Sequence, residues 1–201
     1  MSASGRLGTR GGGGVAAELL DWLAGLLSAP MSIGTVAACR SREGAVFFDA
    51  INDEFGYMPG VDAMRCAIEA DESDEQVAAR LSGCYMRLFE GPGGPATVSL
   101  YESTYAGTTR RCDMAVRAGY GEPPDHLSLE AGLLASLLRI DDQDAADELR
   151  QRLLGWVPRV TTACAAADPS GFYRGVLIAM HDTLMVLHAP TPVRTCHERS
   201  S

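Results

Sequence analysis

Six cysteines are scattered through the 201-residue sequence, yet no two are separated by only two residues. Neither a zinc knuckle nor a thioredoxin-like redox pair is therefore written in it. Basic charge is also scarce: 17 Lys and Arg against 26 Asp and Glu leave a formal net charge of -9. No dense basic run compensates, which disfavours nucleic acid as a partner. There is no Glu-x-x-His unit, so a di-iron bundle lacks its ligands. No serine stands in a Gly-x-Ser-x-Gly elbow, and no glycine-rich loop ends in the Lys-Ser or Lys-Thr of a phosphate cradle. Residues 1–14 are glycine-rich without an apolar core, so they read as a flexible tail and not as a secretion signal or a membrane span. Convincing strands and internal repeats are missing as well.

What is present is an ordinary globular balance, 46% hydrophobic and 21% charged, in which the apolar residues recur at helical spacing. Residues 15–27 place Leu19, Trp22, Leu23, Leu26 and Leu27 on one stripe, with Pro30 beyond its end. Residues 44–55 carry Val46, Phe47, Ala50, Ile51 and Phe55 in the same way, and 61–70 form a shorter candidate. Ser73 and Gln76 stand in a capping-box arrangement before Val77, Leu81, Cys84, Tyr85, Leu88 and Phe89. Gly91-Pro92-Gly93-Gly94-Pro95 then stops the helix. A helical pattern resumes over 99–118, and a second break at 119–124 leads to Asp125, expected as the N-cap of a helix holding Leu127, Leu133, Leu134, Leu137 and Leu138. Two more helices are expected, one from Asp142 to about residue 167 with Pro158 inside it, and one after Pro169 carrying Phe172, Val176, Met180, Leu184 and Leu187. Most cysteines lie on such apolar stripes as small hydrophobes, and reduced thiols fit a cytoplasmic location. The expected fold is all-α, a helical bundle without significant sheet. Its single domain covers 15–189, between the tail 1–14 and a polar tail 190–201.

Few residues offer catalysis. His181-Asp182 in a helical chain suggests an HD-type metal-dependent phosphohydrolase, with His126 as the earlier ligand. Such a site also requires a later Asp, and none follows Asp182; a helix-surface pair is the plainer reading. Arg110-Arg111 is internal and no apolar run follows it, so it too reads as a surface pair and not as an export signal.

Five features go beyond what a plain bundle requires. Tyr85-Met86-Arg87-Leu88-Phe89 runs into Gly91-Pro92. Tyr101-Glu102-Ser103-Thr104-Tyr105 follows that loop, and then comes Glu122-Pro123-Pro124-Asp125-His126-Leu127-Ser128-Leu129-Glu130. Trp156-Val157-Pro158 and Phe172-Tyr173 lie further on. In this order they resemble the TorD/DmsD/NarJ-like family of redox-enzyme maturation chaperones, over about residues 81–187. The resemblance implies an all-α, TorD-like fold that in some members forms domain-swapped homodimers, with no catalysis, no cofactor of its own and no bound metal. It implies a cytoplasmic chaperone that binds the twin-arginine signal peptide of a molybdopterin-dependent oxidoreductase. That chaperone would hold the apo-form of the client through cofactor insertion, before export.

Carried onto this sequence, the family's binding region falls on Pro124, Asp125 and His126, with Phe89, Tyr101 and Glu102 beside them. A ligand that joins an arginine pair to an apolar stretch calls for carboxylates at one end of an apolar groove. Asp125, Glu122 and Glu130 are candidates for the charge, and Phe89 and Tyr101 for the lining. His126, at a helix start, reads as a neutral hydrogen-bonding or stacking group. Leu100 stands where many relatives carry Pro or an aromatic, and Pro123-Pro124 is stiffer than a single proline.

Overall fold

A computed structural model describes residues 12–91, 96–106 and 125–187. The element order is α1 (Gly12–Ser28), α2 (Ile33–Arg40), α3 (Arg42–Phe55), α4 (Pro59–Ile68) and α5 (Asp74–Tyr85), continued by a π-helical turn (Met86–Glu90). Then come α6 (Glu102–Ala106), α7 (Leu127–Arg139), α8 (Gln143–Ala167) and α9 (Phe172–Val186). The only β feature among the described residues is an isolated antiparallel bridge between Tyr101 and His126. The all-α bundle expected from the periodicity is the fold observed.

Most helix starts follow local chemistry. Ser73 and Gln76 form the expected capping box, with Gln76 N–H donating to Ser73 Oγ and Ser73 N–H to Gln76 Oε1. Ser41 Oγ accepts from Gly44 N–H at 3.1 Å, so α3 begins two residues before the predicted Gly44. Helix α2 has no counterpart in the sequence reading, because its single buried residue, Val36, leaves no apolar stripe to detect. Helix α1 starts at Gly12, so residues 12–14 belong to it and not to the expected tail. First-turn N–H groups need no helical partner, and the buried Ala16, Ala17, Leu19 and Leu20 hold the turn that follows. Pro158 lies inside α8 without ending it. The expected helix over 107–118, the loop 92–95, Arg110-Arg111 and residues 188–201 lie outside the described residues.

The buried side chains form one cluster to which most of the helices contribute. Cys84 and Cys164 sit in it as free thiols, while Cys39, also free, is partly buried and the free Cys66 is exposed. Helix α1 packs against α7, α4 against α9, and α8 against both α7 and α9. Arg139, at the end of α7, donates to Asp21 Oδ2 at 2.6 Å and to Ala17 O at 3.4 Å. A Cβ added to Gly132 would stand 3.9 Å from Asp21 Oδ1. Only an antiparallel pair satisfies both contacts, since seven residues of helix rise about 10 Å. The C-terminal end of α1 therefore lies beside the N-terminus of α7. Arg40 braces the other side of the bundle: its guanidinium donates to the carbonyls of Ile68, Ala70 and Glu72 and to Asp74 Oδ1, at 2.6–2.9 Å. The Ile68 carbonyl is one that the end of α4 leaves without a helical partner, while Ala70 and Glu72 lie in the connection to α5.

Helices α4 and α9 meet at glycine. A Cβ on Gly60 would lie 2.5 Å from Gly175 O and against the Ala179 nitrogen, and one on Gly175 would lie 2.7 Å from Gly60 O. Backbone atoms cannot yield as a flexible side chain does, so Gly60→Ala is expected to cost about 1–3 kcal/mol through forced separation of the helices. Gly83, in α5, has nothing within 4 Å of its would-be Cβ. Gly83→Ala is expected to gain about 0.5–1 kcal/mol from helix propensity alone. Urea denaturation of the two variants checks both signs.

Candidate functional site

Two backbone hydrogen bonds assemble the site. Leu127 N–H donates to Leu100 O at 2.8 Å, and Glu102 N–H donates to Asp125 O at 2.9 Å. They pair an extended segment before α6 with the entrance to α7. The same segment is tied to the π-helical turn by Val98 N–H donating to Leu88 O at 2.8 Å. Leu100 fills a buried position here. Because its carbonyl and the Glu102 N–H are spent on this bridge, α6 starts at Glu102 and not at Ser99 as the periodicity suggested.

The bridge reassigns a cap. Asp125 was expected to cap α7, but its Oδ2 accepts the Ser103 N–H at 3.1 Å and its carbonyl accepts the Glu102 N–H. Asp125 thus serves the first turn of α6. Helix α7 is capped by His126, whose Nδ1 accepts the Ser128 N–H at 3.3 Å and sits 2.7 Å from Ser128 Oγ. The buried His126 ring meets the Tyr101 ring edge-on at 4.9 Å. Hydrogen bonding and stacking are the roles expected of it.

Below the bridge, carboxylates crowd one guanidinium. Glu130, in the first turn of α7, is only 1% exposed, and its Oε1 accepts from Arg152 Nη2 at 2.5 Å. Arg152 Nε stands 3.7 Å from Oε2 of the buried Glu102. The second oxygen of Glu130, Oε2, is buried without a hydrogen-bond partner. Burial pushes Glu130 up to about 7; Arg152 opposes the shift, and Glu102 and Asp125 add to it. Glu130, a candidate for the charge in the sequence, thus reaches across to α8.

Four of the eight residues singled out from sequence are thus close together: Tyr101, Glu102, Asp125 and His126, with Glu130 joined to Glu102 through Arg152. Glu122 and Pro124 lie outside the described residues. Phe89 sits in a different cluster, packed edge-on against Tyr85 at 5.2 Å and Tyr173 at 5.4 Å. Tyr85 in turn donates its hydroxyl to Leu27 O at 3.1 Å, which places that aromatic cluster at the C-terminal end of α1. A cleft of about 400 Å³ opens at the same end, lined by Trp22, Leu26, Pro30 and Met31 with Asp21 and Thr35 among its polar members. Given the antiparallel α1–α7 pair, the cleft and the entrance of α7 share one end of the bundle. The sequence reading missed the cleft because Trp22 and Leu26 lie on the same stripe as core residues. It also missed Arg152, which no motif marks.

On α9, His181 Nδ1 lies 3.6 Å from Asp182 Oδ1, and both side chains are about one-third exposed. Among the described residues no three His, Cys, Asp or Glu side chains converge as a metal ion would require.

The fold and motifs define a TorD-like helical chaperone class. The family model described as nitrate reductase delta subunit matches residues 56–162, and the chain belongs to that family, the TorD/NarJ-like redox-enzyme maturation chaperones. Its role is accordingly that of a chaperone and not of an enzyme. Similar proteins include the chaperone protein TorD of Aeromonas salmonicida, 28% identical over 87% of this chain and 92% of that protein. The chaperone protein TorD of Aliivibrio fischeri is 23% identical over 80% of this chain and 86% of its own length. That of Salmonella arizonae is 27% identical over 78% of this chain and 70% of its own length.

The Glu130 environment yields a stability signature. Its folded-state value lies above the ordinary 4.5, so the folded chain holds the proton more tightly than the unfolded chain does. Its contribution is greatest below about pH 4.5 and is lost as pH rises through about 7, by an amount on the order of 3 kcal/mol. In urea titrations from pH 5 to 8, Glu130→Gln is expected to remove that part of the decline. An unchanged slope would show that Glu130 titrates like an exposed carboxyl.

Proposed function

We propose that this chain binds the N-terminal, arginine-bearing signal peptide of a molybdopterin-dependent oxidoreductase in the cytoplasm. In this reading it holds the apo-enzyme through cofactor insertion, before export. The observation that carries the proposal is the sharing of one bundle end by carboxylates and an apolar cleft. Asp125, Glu102 and Glu130 gather around the α6–α7 bridge, and Trp22, Leu26 and Met31 line the cleft at the end of α1. A signal peptide presents the complementary pattern, guanidinium groups followed by an apolar run. Carboxylates hold guanidinium through charge-assisted, directional bonds, and an apolar groove takes the hydrophobic segment by burying its surface. The formal net charge of -9 adds long-range attraction for a cationic segment.

Two further expectations belong to the same reading. The domain covering 15–189 works as a unit in which Glu122, Pro124 and Phe89 complete the binding region. Homodimers, domain-swapped or not, remain compatible with it. No helix among the described residues is long and apolar enough to cross a membrane.

Calorimetric titration with a synthetic Arg-Arg peptide carrying a leucine- and alanine-rich run tests the proposal. Asp125→Ala combined with His126→Ala is expected to weaken binding at least tenfold, about 1.4 kcal/mol. Each substitution also deletes a helix cap, so the variant is expected to melt lower, by about 1 kcal/mol per cap. The binding loss is therefore read well below the melting temperature. Undiminished affinity in the folded double variant would refute the assignment of this site.

A further inference from the structure

Arg152 does more than neutralise its neighbours. Its side chain is 28% exposed, whereas the carboxylates it contacts are 1% exposed for Glu130 and 10% for Glu102. Arg152 is therefore the most solvent-accessible of the three side chains. Its grip is divided. The closest contact takes only Oε1 of Glu130, the approach to Glu102 is 3.7 Å, and the buried Oε2 of Glu130 has no partner. A carboxylate is best satisfied by a guanidinium that presents two parallel N–H groups, and a buried oxygen left unbonded is costly. Asp125 adds a third carboxyl to the same surroundings. Among the described residues Arg152 is the arginine that contacts this cluster, and the buried Glu130 Oε2 is left for a further donor.

We propose that the Glu102–Glu130 pair is a guanidinium receptor that Arg152 fills in the free chain, and that an arginine of the bound peptide takes Arg152's place. The inference rests on the signal-peptide reading above and adds to it the peptide group that takes Arg152's place. Arg152 acts as an internal competitor. An arginine that engages Glu130 through both oxygens displaces it, and the released side chain swings toward solvent. A peptide with no guanidinium, or with an ammonium in its place, lacks the fork needed for that exchange. Non-client peptides of similar hydrophobicity are thereby excluded. Competition of this kind lowers the apparent affinity by the fraction of time the receptor is open, so removing the competitor strengthens binding.

The test uses the full chain at pH 8 and three synthetic peptides that share one leucine- and alanine-rich run, headed by Arg-Arg, Lys-Lys or Gln-Gln. Arg152→Met keeps the aliphatic stem and removes every donor. It is expected to bind the Arg-Arg peptide roughly tenfold more tightly than wild type and to leave Gln-Gln affinity unchanged. Equal or weaker Arg-Arg binding by a folded Arg152→Met variant would overturn the exchange while leaving the signal-peptide reading in place. Should wild type bind none of the three, the signal-peptide reading itself fails and takes the exchange with it. Wild type also provides a measurement independent of the variant's folding. The Arg152 Nε–H resonance, assigned by nuclear magnetic resonance, is expected to shift and exchange faster with water when the Arg-Arg peptide saturates. A resonance that stays fixed at saturation overturns the proposal.

Discussion

The candidate site depends on a two-bond backbone bridge. The bonds from Leu127 N–H to Leu100 O and from Glu102 N–H to Asp125 O bring Tyr101 and Glu102 to Asp125 and His126. The bridge also explains why Asp125 turns its carboxylate toward α6: with its carbonyl already bonded to Glu102 N–H, its side chain is within reach of the next free donor, Ser103 N–H. The cap of α7 then falls to His126, whose imidazole accepts the Ser128 N–H and so is held rigidly against Tyr101. One tie thus sets two helix starts and the orientation of a ring.

Charge burial is the second constraint. Placing carboxyls beneath a surface is expensive unless a cation repays the lost hydration. Among the described residues the guanidinium of Arg152 faces Glu102 and Glu130, and Asp125 adds its charge at greater range. The surrounding helices are held by interactions elsewhere, among them the glycine contact of α4 with α9 and the Arg40 brace on the end of α4. The bundle can therefore carry a strained electrostatic cluster at one end. A partly shielded acidic cluster of this kind is what the cationic guest proposed above would require.

Much of the fold was legible in the residues. Apolar stripes located most of the helices, and Ser73 with Gln76 announced a capping box that is present. The motif from Glu122 to Glu130 and its companions pointed to the family that the comparisons bear out. Legibility failed where a signal was weak or non-local. Helix α2 buries only Val36 and so shows no periodicity. The contact of Phe89 with Tyr173 is non-local, set where the π-helical turn carries the ring beside Tyr85. Asp125 fitted the pattern of an N-cap for the helix that follows it, and only its pairing with a distant segment shows that it caps another.

The sequence by itself determined most of the described helices, the stop at Gly91, the acidic balance and the motif that marks the family, because these are read from composition or from residues near one another in the chain. Tertiary structure alone decided that Glu130 meets Arg152 across α7 and α8, and that the cleft at the end of α1 shares one end of the bundle with the entrance of α7. Those relations depend on the direction in which packed helices run and on which side chains reach across them. The Glu122–Glu130 motif names residues that matter, but packing assigns them their partners.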